Sequence, residues 1–351
     1  LSFVFGNLFL VTVKLQSKIQ NRMKVCIVGA GAIGGYMGAK LAQVGAQVTL
    51  IARGAHLQAI QEKGLCLRLA DGTENWVKDV IATQDLNAAG VQDVVIVALK
   101  AQSVPSVAPS LSALYGEETM VVTAQNGIPW WYFRKLESPY ADYRIQAVDR
   151  DGIVEANIPV DRVIGCVVYP AAEIVAPGII RHIEGDRFSL GELDGAKTER
   201  IQKLSQLFNS AGLKSRVRNQ IRNELWVKLW GNLAFNPISA LTRATLEQIC
   251  QYPLTRELAG NMMLEAQAIA EKLGVDFGIS LEKRIAGAEQ VGAHKTSMLQ
   301  DIEANRPTEV DAIVGAVAEL GRLTQTPTPY IDAIYASVKL LEKTLRSDRS
   351  H

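Results

Sequence analysis

Lys24-Val-Cys-Ile-Val28 runs straight into Gly29-Ala30-Gly31-Ala32-Ile33-Gly34-Gly35, and a helical pattern follows through Leu41. After Gly45 comes a second apolar run, Gln47-Val-Thr-Leu-Ile-Ala52. Strand, glycine-rich turn, helix and strand within about 30 residues make the repeating unit of a parallel sheet. Each glycine has its own task in such a unit. Gly29 makes the tight turn, Gly31 lets the backbone approach a pyrophosphate, and Gly34 lets the helix pack on the strand. The N–H groups that open the helix are then available to phosphate. A lone G-x-G-x-x-G is a weak signal, and a glycine turn without a ligand is the plain alternative. Its place between a strand and a helix gives it weight. Gly29, Ala30, Gly31, Ala32, Ile33 and Gly34 are therefore the expected nucleotide cradle.

The end of the second run selects the nucleotide. A carboxylate there would hold a ribose 2′-OH, but this chain reads Leu50-Ile-Ala-Arg53-Gly54. The planar fork of Arg53 suits a 2′-phosphate, the alternative being a solvated surface arginine. Lys100, directly after the apolar run Val94–Leu99, is expected to add charge near the same end of the sheet, or to lie in solvent. NADPH is thus preferred over NADH. Asn126-Gly127 follows the run Met120–Thr123, at the carboxyl end of the sheet where ligands bind, although Asn-Gly also suits a simple turn.

With 351 residues, the chain exceeds what one core usually serves, so two domains are expected. Lys plus Arg number 37 against 36 Asp plus Glu, and no basic run occurs, which argues against nucleic acid or an anionic membrane as partner. Cys26, Cys66, Cys166 and Cys250 form no Cys-x-x-Cys pair, and the four histidines are scattered. Buried free thiols in a reducing, cytoplasmic setting are expected, with no metal site. Leu1 to Val13 is apolar but too short to span a bilayer, and it lacks the basic start of a secretory signal. Residues 1–22 are expected to be an extension outside the fold, with the folded chain starting at Met23.

Val163–Val168, Ile179–Ile183 and Phe188–Leu190 look like later strands of the first domain. From about Lys197 the texture turns helical, over 197–211, 222–240, 253–273, 281–293, 309–323 and 328–345, with prolines such as Pro237 near expected boundaries. The fold class is an α/β N-terminal domain, 23–195, followed by an all-α domain, 196–351. Lys228, Asn232 and Asn236, spaced by four, form one face about 12 Å long on a helix. Leu225, Trp226, Leu229, Trp230, Leu233 and Phe235 make most of that helix apolar. A polar stripe on a buried helix must face something polar, whereas a solvated face would carry Glu and Lys. A second polar cluster runs from Ser297 through Asp301 to Glu309, where Glu309 also suits the start of a helix.

At these residues the sequence resembles the ketopantoate reductase (2-dehydropantoate 2-reductase) family over 23–345. The features that carry the resemblance are Gly29-Ala-Gly31-Ala-Ile-Gly34, Arg53, Leu-Lys100-Ala-x-x-Val, Gln-Asn126-Gly, Lys228-x-x-x-Asn232-x-x-x-Asn236-Pro, and Ser297-Met-x-x-Asp301 continuing to Pro-Thr-Glu309. Each motif alone is unspecific; together, in this order, they are specific. The resemblance implies a Rossmann-like NADPH domain, a helical substrate domain, and an active site in the cleft between them. It implies Lys228 as general acid and Glu309 near the reacting oxygen. Asn126, Asn232, Asn236 and Ser297 would position the substrate, Asn126 would also contact the cofactor, and Arg53 and Lys100 would hold the 2′-phosphate end. The implied reaction reduces the 2-keto acid ketopantoate to pantoate, a step towards pantothenate and coenzyme A. The alternatives are reduction of another 2-keto acid, or an NADPH-binding regulatory protein without catalysis. Trp130-Trp131 is a departure that could reshape the pocket, and the apolar helical domain could support a homodimer.

Overall fold

A computed structural model describes residues 22–347. The expected extension, 1–22, lies outside the described residues except for Arg22, which faces Asp79 at 3.7 Å. The first half runs β1 (Lys24–Val28), α1 (Ala32–Gln43), β2 (Gln47–Ile51), α2 (Gly54–Lys63), β3 (Leu65–Arg68), β4 (Glu74–Val77), β5 (Val80–Thr83), β6 (Gln92–Val97) and β7 (Tyr115–Thr123). It continues with β8 (Val163–Val168), β9 (Ala171–Ala176), β10 (Ile179–Glu184), β11 (Arg187–Glu192), α3 (Glu199–Ser210) and β12 (Lys214–Val217). The main sheet has the order β12-β11-β8-β7-β6-β1-β2-β5. From β8 to β5 every neighbouring pair is parallel, and β11 then runs antiparallel to β8.

Alternation along each parallel strand divides its side chains between two cores. Val25 and Ile27 of β1, Val94 and Ile96 of β6, and Met120 and Val122 of β7 enter one core. Cys26, Val28, Val95, Val97 and Val121 enter the other. Both faces of such strands are covered, so they read as continuous apolar runs. Helix α1 is buried on two sides as well. An added Cβ on Gly38 would crowd Leu50 of the main sheet, and one on Gly35 would crowd Ile180 of a second, four-stranded sheet. That second sheet, ordered β4-β3-β10-β9, is where Ile179–Ile183 resides, rather than in the main sheet.

The helical half comprises α4 (Ile221–Thr242), α5 (Leu246–Gln251), α6 (Pro253–Lys272), α7 (Leu281–Glu289), α8 (Ser297–Glu303), α9 (Ala316–Leu323) and α10 (Pro329–Ser347). The architecture is thus a parallel-sheet α/β half followed by a helical half, as the periodicities indicate. The expected division lies at 195/196, and beyond it α3 still packs on the sheet while β12 pairs into its edge. Ile201, Leu204 and Phe208 of α3 fill the first core, and β12 pairs with β11. Pro237 lies inside α4 rather than at its boundary, where it leaves the Leu233 carbonyl without its usual donor.

The second core does not stop at the sheet. It continues through Trp131, Tyr132 and Phe133 into Trp226, Trp230 and Met263. Trp130 and Trp131 are buried in this core and line neither of the two cavities that follow. Ile221, the first residue of α4, rests on Gly165 of β8 and Gly191 of β11. Arg222 donates to the carbonyls of Tyr132, Leu193 and Arg134, each at 2.7 Å. Trp226 Nε1 donates to the Tyr132 hydroxyl at 2.7 Å, so its buried polar atom is satisfied. Each fully buried side chain of this size contributes about 1.5–3 kcal/mol, so the junction is a core and not a loose contact between domains. All four cysteines are free and buried. Among the described residues no helix is long and apolar enough to cross a membrane.

Candidate active site

The glycine turn sits at the carboxyl end of β1 and opens a cleft of about 790 Å³. Gly29 has φ +100, a conformation that disfavours any side chain, and a Cβ there would also press on Leu99. A Cβ on Gly34 would collide with the Gly29 carbonyl oxygen. Gly31 is different, since nothing lies within 4 Å of the place its Cβ would take. That open approach leads to the start of α1, whose N-cap residue Gly31 has no side chain to satisfy the first N–H groups. Arg53 caps α2 at a wall of the same cleft, and its guanidinium makes no hydrogen bond or ion pair among the described residues. A cradle that a Cβ would fill, a helix start free of side-chain caps, and an unpaired guanidinium fit a phosphorylated dinucleotide. His56 also lines this cleft, and its Nδ1 accepts the Gly178 N–H at 3.0 Å. No sequence signal marked it.

A second cavity, of about 420 Å³, adjoins the first at α1: Gly31 lines one and Ile33 the other. Asn126, Lys228, Asn232, Asn236 and Ser297 all line this second cavity. They come from the loop after β7, from one stripe of α4, and from the first residue of α8. Lys228 Nζ donates to Asn126 Oδ1 at 2.6 Å, and Asn126 Nδ2 donates to Glu309 Oε2 at 3.1 Å. One neutral amide thus joins an ammonium to a carboxyl. Gly127, at φ +85, lets the Asn126 loop lie against Ala312, whose carbonyl accepts the Ile128 N–H at 2.9 Å. Ala312 belongs to a π-helical stretch, Asp311–Gly315, that starts two residues after Glu309. This contact is what brings Asn126 and Glu309 together. The turn reading and the site reading of Asn-Gly are therefore compatible.

Burial draws the Lys228 ammonium down to about 8, against the opposing pull of Glu309 and Cys166. Burial pushes the Glu309 carboxyl up, while the Asn126 hydrogen bond, the Lys100 charge and the Ala101 N–H hold it back. Asn232, Asn236 and Ser297 make no side-chain hydrogen bond among the described residues, so their polar groups remain available to a ligand in the cavity. Lys100 departs from expectation. It does not stand with Arg53, because its ammonium pairs with Asp301 of α8 and approaches the Pro307 carbonyl at 3.4 Å. The chain turns back after β6 and carries Lys100 towards Glu309 instead. Sequence reasoning singled out Asp301 only as part of a motif; here it is buried and holds both Lys100 and Arg306. Arg284 of α7 lines the cavity too, and no sequence signal marked it.

A Rossmann-like sheet with a free phosphate cradle, beside a cavity holding an ammonium of lowered pKa, defines an oxidoreductase of the nicotinamide-dinucleotide class. Family models described as "Ketopantoate reductase PanE/ApbA" and "Ketopantoate reductase PanE/ApbA C terminal" match residues 25–195 and 220–342. A 2-dehydropantoate 2-reductase of Mesorhizobium japonicum is 54% identical over 91% of this chain and 98% of its own. One of Pyrococcus horikoshii is 30% identical over 91% of this chain and 98% of its own. A crystal structure described as a putative ketopantoate reductase from Ralstonia solanacearum is 44% identical, with a TM-score of 0.88, covering 93% of this chain and 99% of that one. The chain belongs to the ketopantoate reductase family.

Proposed function

We propose that the protein reduces 2-dehydropantoate (ketopantoate) to pantoate with NADPH. The observation that carries this reading is the Lys228–Asn126–Glu309 chain, whose Lys228 and Asn126 face a cavity next to the glycine cradle. NADPH, when bound, supplies a hydride to the keto carbon. Gly29 to Gly34 and the start of α1 hold the pyrophosphate, and Arg53 receives the 2′-phosphate. Lys228 meets the keto oxygen, stabilises the charge that develops there, and donates the proton. Its pKa of about 8 suits an acid working near neutral pH. Asn126 fixes the ammonium without adding a charge. Glu309 accepts a hydrogen bond from the substrate hydroxyl, a group that ketopantoate has and pyruvate lacks. Asn232, Asn236 and Ser297 orient the rest of the acid. Lys100 supports this site by holding Asp301 of α8.

Cytoplasmic residence and a homodimer belong to the same reading. The first is supported by the four free thiols, and the second by exposed Leu254, Leu264, Tyr330 and Leu340 on α6 and α10. Light scattering from the purified protein tests the dimer. The test of function is NADPH oxidation with ketopantoate, pyruvate, 2-ketoisovalerate and oxaloacetate, each repeated with NADH. Turnover confined to ketopantoate and NADPH supports the whole reading. Turnover with a different acid keeps the site and replaces the substrate. Tight NADPH binding with no turnover of any acid favours the regulatory alternative.

A further inference from the structure

Arg284 lines the substrate cavity, yet its guanidinium makes no hydrogen bond and no ion pair among the described residues. Glu184, the carboxylate that shares the cavity lining, is exposed and pairs with no cation among the described residues, and the acidic residues on neighbouring elements are engaged elsewhere. Glu289, on its own helix, pairs with Arg256 at 3.2 Å. Glu224 accepts from Ser189 and Tyr169, each at 2.9 Å, and pairs with Arg218 at 3.0 Å. A half-buried guanidinium without an anion is costly to keep, so its partner is to be sought in what the cavity takes in. The place it occupies is also prepared. The guanidinium lies against Gly231 of α4, where an added Cβ would collide with Nη2 and Cζ. Gly231 comes three residues after Lys228, on the same face of the helix and about 4.5 Å further along its axis. In a 2-keto acid the carboxylate is bonded directly to the keto carbon. An ammonium on the keto oxygen and a guanidinium about one turn away match that arrangement.

We propose that Arg284 receives the substrate carboxylate, in a seat that Gly231 leaves open on α4. This rests on the reduction of a 2-keto acid proposed above. A guanidinium presents parallel N–H groups to both carboxylate oxygens, so it fixes the plane of the acid as well as its charge. The fixed plane sets which face of the keto carbon is turned towards the cradle side of the cavity. Ser297, on the same cavity wall, supplies a further donor to lone pairs the guanidinium leaves free. The cavity is thereby selective for free 2-keto acids over their esters, amides and lactones.

Steady-state kinetics with ketopantoate and with ketopantoyl lactone, which has no free carboxylate, test the seat. Arg284→Met is expected to raise KM for the acid by about 100-fold. The same variant should leave kcat/KM for the lactone and the Kd for NADPH unchanged, and Arg284→Lys should recover part of the loss. Gly231→Ala guards against a folding artefact, because the colliding group is the far end of a flexible side chain and can move aside. It should reproduce the KM effect with an unchanged melting temperature. Parallel losses for acid and lactone, or an unchanged KM for the acid, would overturn the proposal. Calorimetric binding of pantoate to the NADP-loaded protein separates it from the reaction itself. Arg284-dependent binding in a protein that reduces no 2-keto acid sinks the reaction and keeps the seat. Arg284-independent binding in an active enzyme sinks the seat and keeps the reaction.

Discussion

The nucleotide cleft takes its floor from the turn Val28 to Gly31 and one wall from Ile51 to Arg53 at the next strand end, with segments near Gln84 and Ser106 closing it. The substrate cavity draws on a loop after β7, a stripe of α4, the faces of α7 and α8, and the carboxyl of Glu309 behind them. The first is a backbone site, shaped by where side chains are missing. The second is a side-chain site, in which an ammonium, amides and a carboxyl meet across the shared core. A backbone site works by shape and loses affinity when altered. A side-chain site works by charge and proton position and loses rate.

The sharpest way to break that contrast is Lys228→Ala. It should lower kcat by about 10³-fold and leave the Kd for NADPH within about twofold. A matching loss of NADPH affinity would show that the two clefts are one site. Arg53→Ala should do the reverse. We expect KM for NADPH to rise about 30-fold, with kcat and the response to NADH unchanged, as measured by parallel titrations with both nucleotides. Next in size is the pH profile. Lys228 must carry its proton to donate it, so kcat falls as pH rises through about 8, by about tenfold per unit above that. Because the Glu309 charge opposes the downward shift, Glu309→Gln should move this limb to lower pH. The smallest effect contrasts two glycines of the same turn. Gly31→Ala enters empty space, so its melting temperature should hold while NADPH binding weakens about tenfold. Gly34→Ala meets the Gly29 carbonyl and should cost about 1–3 kcal/mol of stability in a denaturant titration.

The same contrast explains what could be read in the sequence. The β1–α1–β2 unit is local, so its glycines, strands and helix are legible in order. The α4 stripe was legible because amides on an otherwise apolar helix conflict with burial. Short strands such as β3, β5 and β12 were not, since four residues carry too little alternation to stand out. Lys100 followed the rule for strand ends, and a tertiary ion pair with Asp301 overrode it. Arg284 gave no warning. It stands in Leu281-Glu-Lys-Arg284, a run that reads as a solvated helix face, and only the approach of Gly231, more than fifty residues earlier, turns it inward.

The core that runs from the sheet into the helical half also dictates when the protein can be finished. On the ribosome, β8 and β11 emerge before α4, and Gly191, with the side of Gly165 that Trp131 leaves open, stays uncovered until Ile221 follows. A fragment cut at the apparent edge of the first half would carry that bare face into solution and tend to aggregate. For the same reason, a chimaera that borrows the helices of a relative must borrow the matching sheet face with them.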